Sequence, residues 1–147
     1  MSAVGEQVDG GIADAACAWL TTLRRDGSPH VTPVWFMLDD DTFWIASSTA
    51  NVKVRNVLRD PRVALAVDGT GARPHVAQGR AHVHLDVAAF PSLLARFAAK
   101  YDGWDAADET QDGPRAMVEV RIERWLLRPA VPVDTTDAAR ERHEGRP

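Results

Sequence analysis

The chain has 147 residues, of which 45% are hydrophobic and 26% charged, a balance that fits one ordinary globular domain rather than a disordered protein. A formal net charge of −4 argues against broad binding to nucleic acid or anionic membrane, and a lone cysteine, Cys17, excludes an internal disulfide and fits a reducing compartment. With no basic-then-apolar leader and no long apolar run, the expectation is a cytoplasmic protein without signal peptide or membrane span. Residues 1–11 are polar, and residues 12–18 read as a short leading helix. The runs 19–24 (WLTTLR) and 29–38 (PHVTPVWFML) flank Arg25-Asp26-Gly27-Ser28, and an Asp-Gly turn between two such runs signals a hairpin. Asp39-Asp40-Asp41 reads as a solvated turn, because a metal site needs further carboxylates at defined spacing. A strand over residues 42–48 follows.

Residues 47–59, SSTANVKVRNVLR, are the most informative stretch. Three hydroxyl residues, Ser47, Ser48 and Thr49, precede a short basic helix carrying Lys53, Arg55, Asn56 and Arg59, which Asp60-Pro61 stops. Hydroxyls at a helix start satisfy orphan N–H groups or accept a ligand there. The same end carries partial positive charge and favours an anion. Lys53 and Asn56 are three residues apart, so one helical face presents both to the same anion, while Val54, Val57 and Leu58 form the opposite, buried stripe. Two readings stand: a capped surface helix with basic decoration, or a phosphate site.

Residues 62–68 alternate as a half-buried strand, and Gly69-Thr70-Gly71 turns the chain. The next strand, residues 74–86, buries Ala77, Ala81, Val83 and Leu85 and turns Gln78, Arg80, His82 and His84 to its polar side. His82 and His84 share a face; a solvated face is favoured over zinc, since the sequence names no third ligand. A helix over residues 90–101 has Pro91 in its first turn and the apolar stripe Leu93, Leu94, Phe97, Ala98 and Tyr101. After a loop with Trp104, the strand 116–127 turns Val118, Val120, Ile122 and Leu126 inward and Glu119, Arg121, Glu123 and Trp125 outward. Trp125 on a polar face signals a subunit contact or a ligand wall. Trp35 and Trp44 read as packing in the barrel or at an interface. From Pro129 onward three prolines and many charges read as a flexible tail. Six strands, short turns and two helices make a mainly-β protein, a small antiparallel barrel with helices over its open edges. Neither nucleotide-binding glycine motif and no Ser/His/Asp arrangement is present.

The ordered set TTLRRDGSPHVTPVWF, SSTANVKVRNVLRDPRVAL, QGRAHV, KYDGW and IERWLL resembles the split-barrel flavin and deazaflavin oxidoreductases, the superfamily named after pyridoxamine 5′-phosphate oxidase. The likeness spans residues 19–127. It implies a six-stranded antiparallel split β-barrel with flanking helices, of the FMN-binding split-barrel type. That barrel is a cofactor-binding domain over residues 1–128, followed by the tail 129–147. It also implies a homodimer with sites at the interface. The pair PVWF and KVRN is similar to the actinobacterial branch that binds the deazaflavin coenzyme F420. Carried over by residue, Lys53, Asn56, Ser47, Ser48 and Arg55 match the phosphate site. Thr32, Pro33, Val34 and Trp35 match the segment lining the tricyclic ring. Pro33 supports this independently, since a strand proline marks an edge or a bulge. Arg73, Pro74 and His75 match a strand start that often approaches the cofactor from the second subunit, although Ala72 and Pro74 lack the aromatic rings of some relatives. His75 and Trp125 are candidates for lining the substrate side, and Arg24, Arg25 and Arg59 for a groove that takes the deazaflavin's polyglutamate tail. The activity implied is hydride transfer between reduced F420 and a small unsaturated or oxidised substrate, with no acid, base or nucleophile named. The alternatives are an FMN enzyme of the same fold and a non-catalytic cofactor carrier.

Overall fold

A computed structural model describes residues 11–67 and 73–129, so the Gly69-Thr70-Gly71 turn and most of the expected tail lie outside the described residues. The strands are β1 (Ala18–Leu23), β2 (Pro29–Val34), β3 (Met37–Asp39), β4 (Thr42–Ser48), β5 (Arg62–Val67), β6 (His75–His84) and β7 (Arg115–Leu127). Two helices join them, α1 (Val52–Arg59) and α2 (Pro91–Lys100). All seven strands belong to one sheet, in the order β2-β1-β5-β6-β7-β4-β3, and every pairing is antiparallel. No helix among the described residues is long and apolar enough to cross a membrane.

The connection between the two edge strands dictates the shape of the sheet. Trp35 and Phe36 alone join β2 to β3. From Val34 to Met37 is three Cα steps of about 3.8 Å, which holds the edges within about 11 Å of one another. A flat sheet with strands about 4.8 Å apart would separate them by about 29 Å. The sheet is therefore curled into a nearly closed barrel with a slot between β2 and β3. This is the split barrel with flanking helices that the sequence implies. The strands number seven rather than six because the run 29–38 breaks at Trp35-Phe36, where the chain crosses the slot. Phe36 is fully buried and packs on Phe43, with ring centroids 5.2 Å apart. The Tyr101 hydroxyl accepts a hydrogen bond from the Phe36 N–H (3.0 Å) and donates to the Ala16 carbonyl (3.0 Å). Lys100 Nζ donates to the Phe36 carbonyl (2.9 Å) and lies 3.8 Å from the Phe36 ring centroid.

The barrel interior is filled from all sides, with Leu20, Val34, Phe43, Ile45, Leu65 and Val118 at its centre and Val54 and Val57 of α1 joining them. Helix α1 is rotated away from its expected apolar stripe: Asn56 enters the interior, and Leu58 is 63% exposed. Helix α2 covers the outer face of β4 and β7, where Leu93 and Phe97 pack with Met117, Trp44 and Ala46. Residues 116–120 of β7 are thus buried on both faces, so the expected alternation fails there. Further along, the pairing with β6 shifts register between Val76 and Ala77 and again between Gln78 and Gly79. Each bulge reverses which residues face inward. Trp125, expected outward, packs against the inner core, and Leu126, expected inward, is 46% exposed. Gly79 is required at the second bulge, because a Cβ there would run into the Arg121 carbonyl.

The other departures are local. Residues 12–18 make only a 3₁₀ turn (Ile12–Asp14) before the chain extends. Strand β6 ends at His84, which leaves Leu85 exposed rather than buried. The Asp-Gly hairpin forms as expected, with Gly27 at φ 87° and the Asp26 carboxylate accepting from the Ser28 N–H. In the acidic turn Asp39 pairs with Arg96 (2.7 Å) and Asp41 accepts from the Trp125 indole (3.3 Å), so two of the three acids have protein partners. On the outer face, direct cross-strand partners set Pro33, Trp19, Ala66, Val76 and Leu127 in one apolar row across β2, β1, β5, β6 and β7.

Candidate functional site

The stretch between β4 and α1 is tied to the start of β7. Ser48 pairs with Arg115 across the two strands, and the Ser48 hydroxyl donates to the Asp112 carbonyl (2.7 Å). The Thr49 N–H donates to the Pro114 carbonyl (2.9 Å). Ser48 also accepts from the Ala50 N–H (3.2 Å), while the N-cap of α1 is Asn51, whose side chain accepts from the Lys53 N–H (3.3 Å). The hydroxyls therefore shape the turn before the helix rather than its first residue, and Ser47 and Ser48 are both buried.

From this anchored turn Lys53 reaches a cavity of about 200 Å³, lined by Pro33, Val34, Trp35, Ile45, Ala46, Lys53 and Trp104. The expected ring-lining segment and the expected phosphate lysine thus meet at one place. Pro33 lies on the edge strand β2, where a missing backbone donor is tolerated. Trp35 is 45% exposed, and Tyr101 holds its ring by stacking at 4.4 Å and 4°. Trp104 meets Trp35 edge-on at 5.0 Å. Burial lowers the proton affinity of Lys53, and the positive charge of Arg115 lowers it further.

Sequence reasoning missed Trp104, Ile45, Ala46 and Arg115. Trp104 stands in the KYDGW stretch, whose likeness to relatives was the one available signal. Arg115 is half-buried at the start of β7; its Nε donates to the Ala106 carbonyl (3.0 Å), and its guanidinium lies 5.7 Å from the Trp104 ring centroid. Burial pushes Arg115 toward losing its proton, and Asp112, Asp108 and Asp105 oppose that push.

The remaining expected residues do not line the cavity. Asn56 is buried, its amide donating to Thr22 Oγ1 (3.0 Å) and accepting from Arg59 (2.9 Å). Asn56 and Lys53 therefore do not share one polar surface. Arg55 is exposed on α1, and Thr32 is half-buried, its hydroxyl 3.4 Å from the Pro33 carbonyl. Arg24 donates to the Pro29 carbonyl (2.6 Å) and Arg59 to the Leu23 carbonyl (3.2 Å); Arg25 is exposed in the hairpin turn. Arg73 is exposed; its carbonyl accepts from Nδ1 of the buried His75 (3.0 Å), and the His75 ring meets Trp125 edge-on at 6.0 Å.

A second groove, about 350 Å³, crosses the outer face of β1, β5, β6 and β7. Its arginines are already matched, Arg62 to Asp60 (2.7 Å) and Arg80 to Glu123 (3.3 Å). His82 and His84 do share a face, with centroids 4.6 Å apart, but His84 is half-buried against Trp44 and Phe90 and bonds Glu119 (2.9 Å). Burial raises the Glu119 carboxyl, and its bonds to His84 and Arg121 outweigh that and leave it below the usual range. Among the described residues no group of three His, Cys, Asp or Glu could hold a metal ion.

The cavity's chemistry fits a flavin or deazaflavin phosphate. Aromatic and aliphatic walls suit a flat ring, and a lysine among the lining residues, paired with no carboxylate among the described residues, suits a phosphate. Comparison with known families matches residues 4–128 to pyridoxamine 5′-phosphate oxidase. The F420H(2)-dependent biliverdin reductase of Mycobacterium tuberculosis is 35% identical over 117 residues, covering 78% of this chain and 81% of that protein. A solved F420 reductase structure matches with TM-score 0.63 and 25% identity, over 80% of this chain and 94% of that one. A pyridoxamine 5′-phosphate oxidase-like structure from Listeria innocua shares the fold, with TM-score 0.65 and 16% identity over 84% of this chain and 97% of that one.

Proposed function

The chain belongs to the pyridoxamine 5′-phosphate oxidase family, and from that membership we propose that it is an oxidoreductase dependent on coenzyme F420. When bound, that coenzyme supplies the hydride. The observation that carries this reading is the cavity itself: Lys53 lines it together with Pro33, Val34, Trp35 and Trp104. The 35% identity to an F420-dependent reductase supports the deazaflavin over FMN. In this reading Lys53 binds the phosphate, the β2 segment and the two tryptophans orient the ring, and the apolar walls exclude water from the reacting face. The substrate is a small unsaturated or oxidised molecule, and biliverdin is the first to test because the M. tuberculosis relative reduces it.

Titration of purified protein with F420 and with FMN separates the cofactors. Binding of F420 tighter by about tenfold or more, a difference of about 1.4 kcal/mol, is the expected result, together with oxidation of reduced F420 by an added acceptor. Tighter FMN binding overturns the cofactor; tight F420 binding without turnover on any acceptor makes the protein a carrier.

The protein is also proposed to be a homodimer whose sites need both subunits. The row of Pro33, Trp19, Ala66, Val76 and Leu127 supports this, since Trp19 and Leu127 are each about half exposed (48% and 50%) on one sheet face. Sedimentation at micromolar concentration is expected to show two chains. A monomer that binds cofactor fully would sink the shared site.

A further inference from the structure

We infer that Tyr101, at the end of α2, is a positioning residue: by stacking on Trp35 it holds that indole in one orientation, as the cavity wall against which a flat conjugated ring lies. The inference rests on the proposed function only in taking a flat ring as the cavity's ligand.

Trp35 is a side chain that needs such a holder. With Phe36 it makes the whole link between β2 and β3, and the two part company there, Phe36 into the core and Trp35 outward at 45% exposed. A half-exposed side chain on an extended link keeps rotamer freedom that ligand binding must then remove. Tyr101 removes it in advance. Its ring lies against the indole with centroids 4.4 Å apart and an interplanar angle of 4°. Trp104 meets the same indole at 5.0 Å and 89°. Both holders stand on the fully buried Phe97, whose ring centroid lies 6.2 Å from that of Tyr101 and 5.6 Å from that of Trp104.

Tyr101 is itself pinned, and to the same link. Its hydroxyl oxygen accepts from the Phe36 N–H (3.0 Å) and donates to the Ala16 carbonyl (3.0 Å), while its backbone N–H donates to the Phe97 carbonyl (2.9 Å). One side chain therefore grips the Trp35 ring and the Phe36 backbone together, and the indole is fixed relative to the seam. The cavity is lined by Trp35 and Trp104 and not by Tyr101, which places Tyr101 behind the wall. With Tyr101 against one face, the other face of the indole is left for a second ring in the offset stack that aromatic pairs favour. A seam role alone would call on the hydroxyl, whose bonds reach Phe36 and Ala16; the parallel ring on Trp35 adds nothing to those bonds. The ring is what a positioning role calls on, and it acts only through Trp35.

The test is a pair of substitutions at the chain's only tyrosine, read in the cofactor-free full chain carrying fluorine-labelled tryptophan. The five tryptophans give five signals, and W35F identifies that of Trp35. Y101L should move the Trp35 signal toward that of an exposed indole, while Trp19, Trp44 and Trp125 stay in place and report an intact fold. Y101F keeps the ring and loses the hydroxyl bonds, so it should hold the Trp35 signal near its parent position even where stability falls. A flat ring comes from the cofactor or from the substrate, and two arms separate them. As the cofactor's, it makes Y101L bind riboflavin and FMN each about three- to tenfold more weakly. As the substrate's, it raises the acceptor's KM by the same factor at unchanged kcat and cofactor affinity. In a protein without turnover the riboflavin arm decides alone. Y101F should recover most of either loss, and in a W35L background Y101L should cost nothing further, because the two residues act as one unit. A Trp35 signal unmoved by Y101L, no loss in either arm, or a second loss added to that of W35L overturns the positioning role. Where Y101L loses the three reporter signals, Y101F decides: a displaced Trp35 signal or lost riboflavin affinity overturns the role, and preservation of both supports it. Because the Trp35 signal is read without cofactor, failure of the F420 reading leaves this result standing, and failure of the positioning role leaves F420 binding to be judged by its own titration.

Discussion

Lys53 and Lys100 are both half-buried, and burial lowers the proton affinity of each. Lys100 is consumed by the fold. Its ammonium donates to the Phe36 carbonyl and lies over the Phe36 ring, at the seam where β2 crosses to β3. Beside it Tyr101 engages the Phe36 N–H and the Ala16 carbonyl, so the seam's polar groups are matched by protein. Lys53 sits at the other kind of place. Among the described residues it pairs with no carboxylate, and the charge that acts on it is a second cation, Arg115. One lysine is matched by the protein at the closing seam; the other is left without a carboxylate among the described residues.

The largest effect should come from the seam. Phe36→Ala removes a fully buried ring from the link itself, and large-to-small changes of this kind cost about 3–5 kcal/mol. Denaturant unfolding checks it; a loss under about 1 kcal/mol would mean that the seam does not hold the barrel closed.

Next comes the unmatched lysine. Lys53→Ala should weaken binding of a phosphorylated cofactor by roughly ten- to a hundredfold, the equivalent of a charge-assisted bond of about 1.5–3 kcal/mol. Stability should change by less than about 0.5 kcal/mol, and riboflavin affinity should hardly move. Equal losses for both ligands would remove Lys53 from the phosphate site and erase the contrast with Lys100.

Titration sharpens the contrast from the other side. Burial pulls the pKa of Lys100 down from an ordinary 10.5 to about 8, with Asp14 and Cys17 acting the other way. Above about pH 8 the unfolded chain therefore binds more protons at this site than the folded one. Stability should rise with pH from there toward 10, where the raised Tyr101 phenol begins to act in the opposite sense. Lys100→Met should flatten the rise; a rise that survives the change would have to come from elsewhere.

The smallest effect is expected at the histidine pair, which repeats the comparison in miniature. His82 is exposed, whereas His84 supports the buried Glu119. His82→Ala should stay within about 0.5 kcal/mol of the parent, chelator should change nothing, and only His84→Ala should register in thermal unfolding. Stoichiometric zinc in the purified protein would contradict this.

Local chemistry was legible in the sequence. The Asp26-Gly27 turn, the edge placement of Pro33 and the position of Lys53 at a helix start each follow from a residue and its immediate neighbours. What escaped depends on partners distant in the chain. Residues 29–38 look like one strand because nothing in an apolar run marks the point where it leaves a sheet edge. The exchange of Trp125 and Leu126 comes from bulges, which are a property of two strands in register. Asn56 looks like a ligand until Thr22, 34 residues away, is seen to receive its amide. Trp104 comes to line the cavity with Lys53, and Arg115 to lie beside Trp104, where the loop between them is tied to the turn before α1.

The slot between β2 and β3 carries a consequence for solubility. A barrel that does not close leaves two rows of backbone groups able to template a strand from another chain, the first step toward aggregation. Here β3 offers only the residues Met37–Asp39 to such an intruder, and β2 carries prolines at both Pro29 and Pro33. A foreign strand would find too short a run on one side and missing donors on the other. Pro33 therefore guards an open edge while it lines the cavity, and its replacement by an ordinary strand former would endanger the protein in concentrated solution before it altered that cavity.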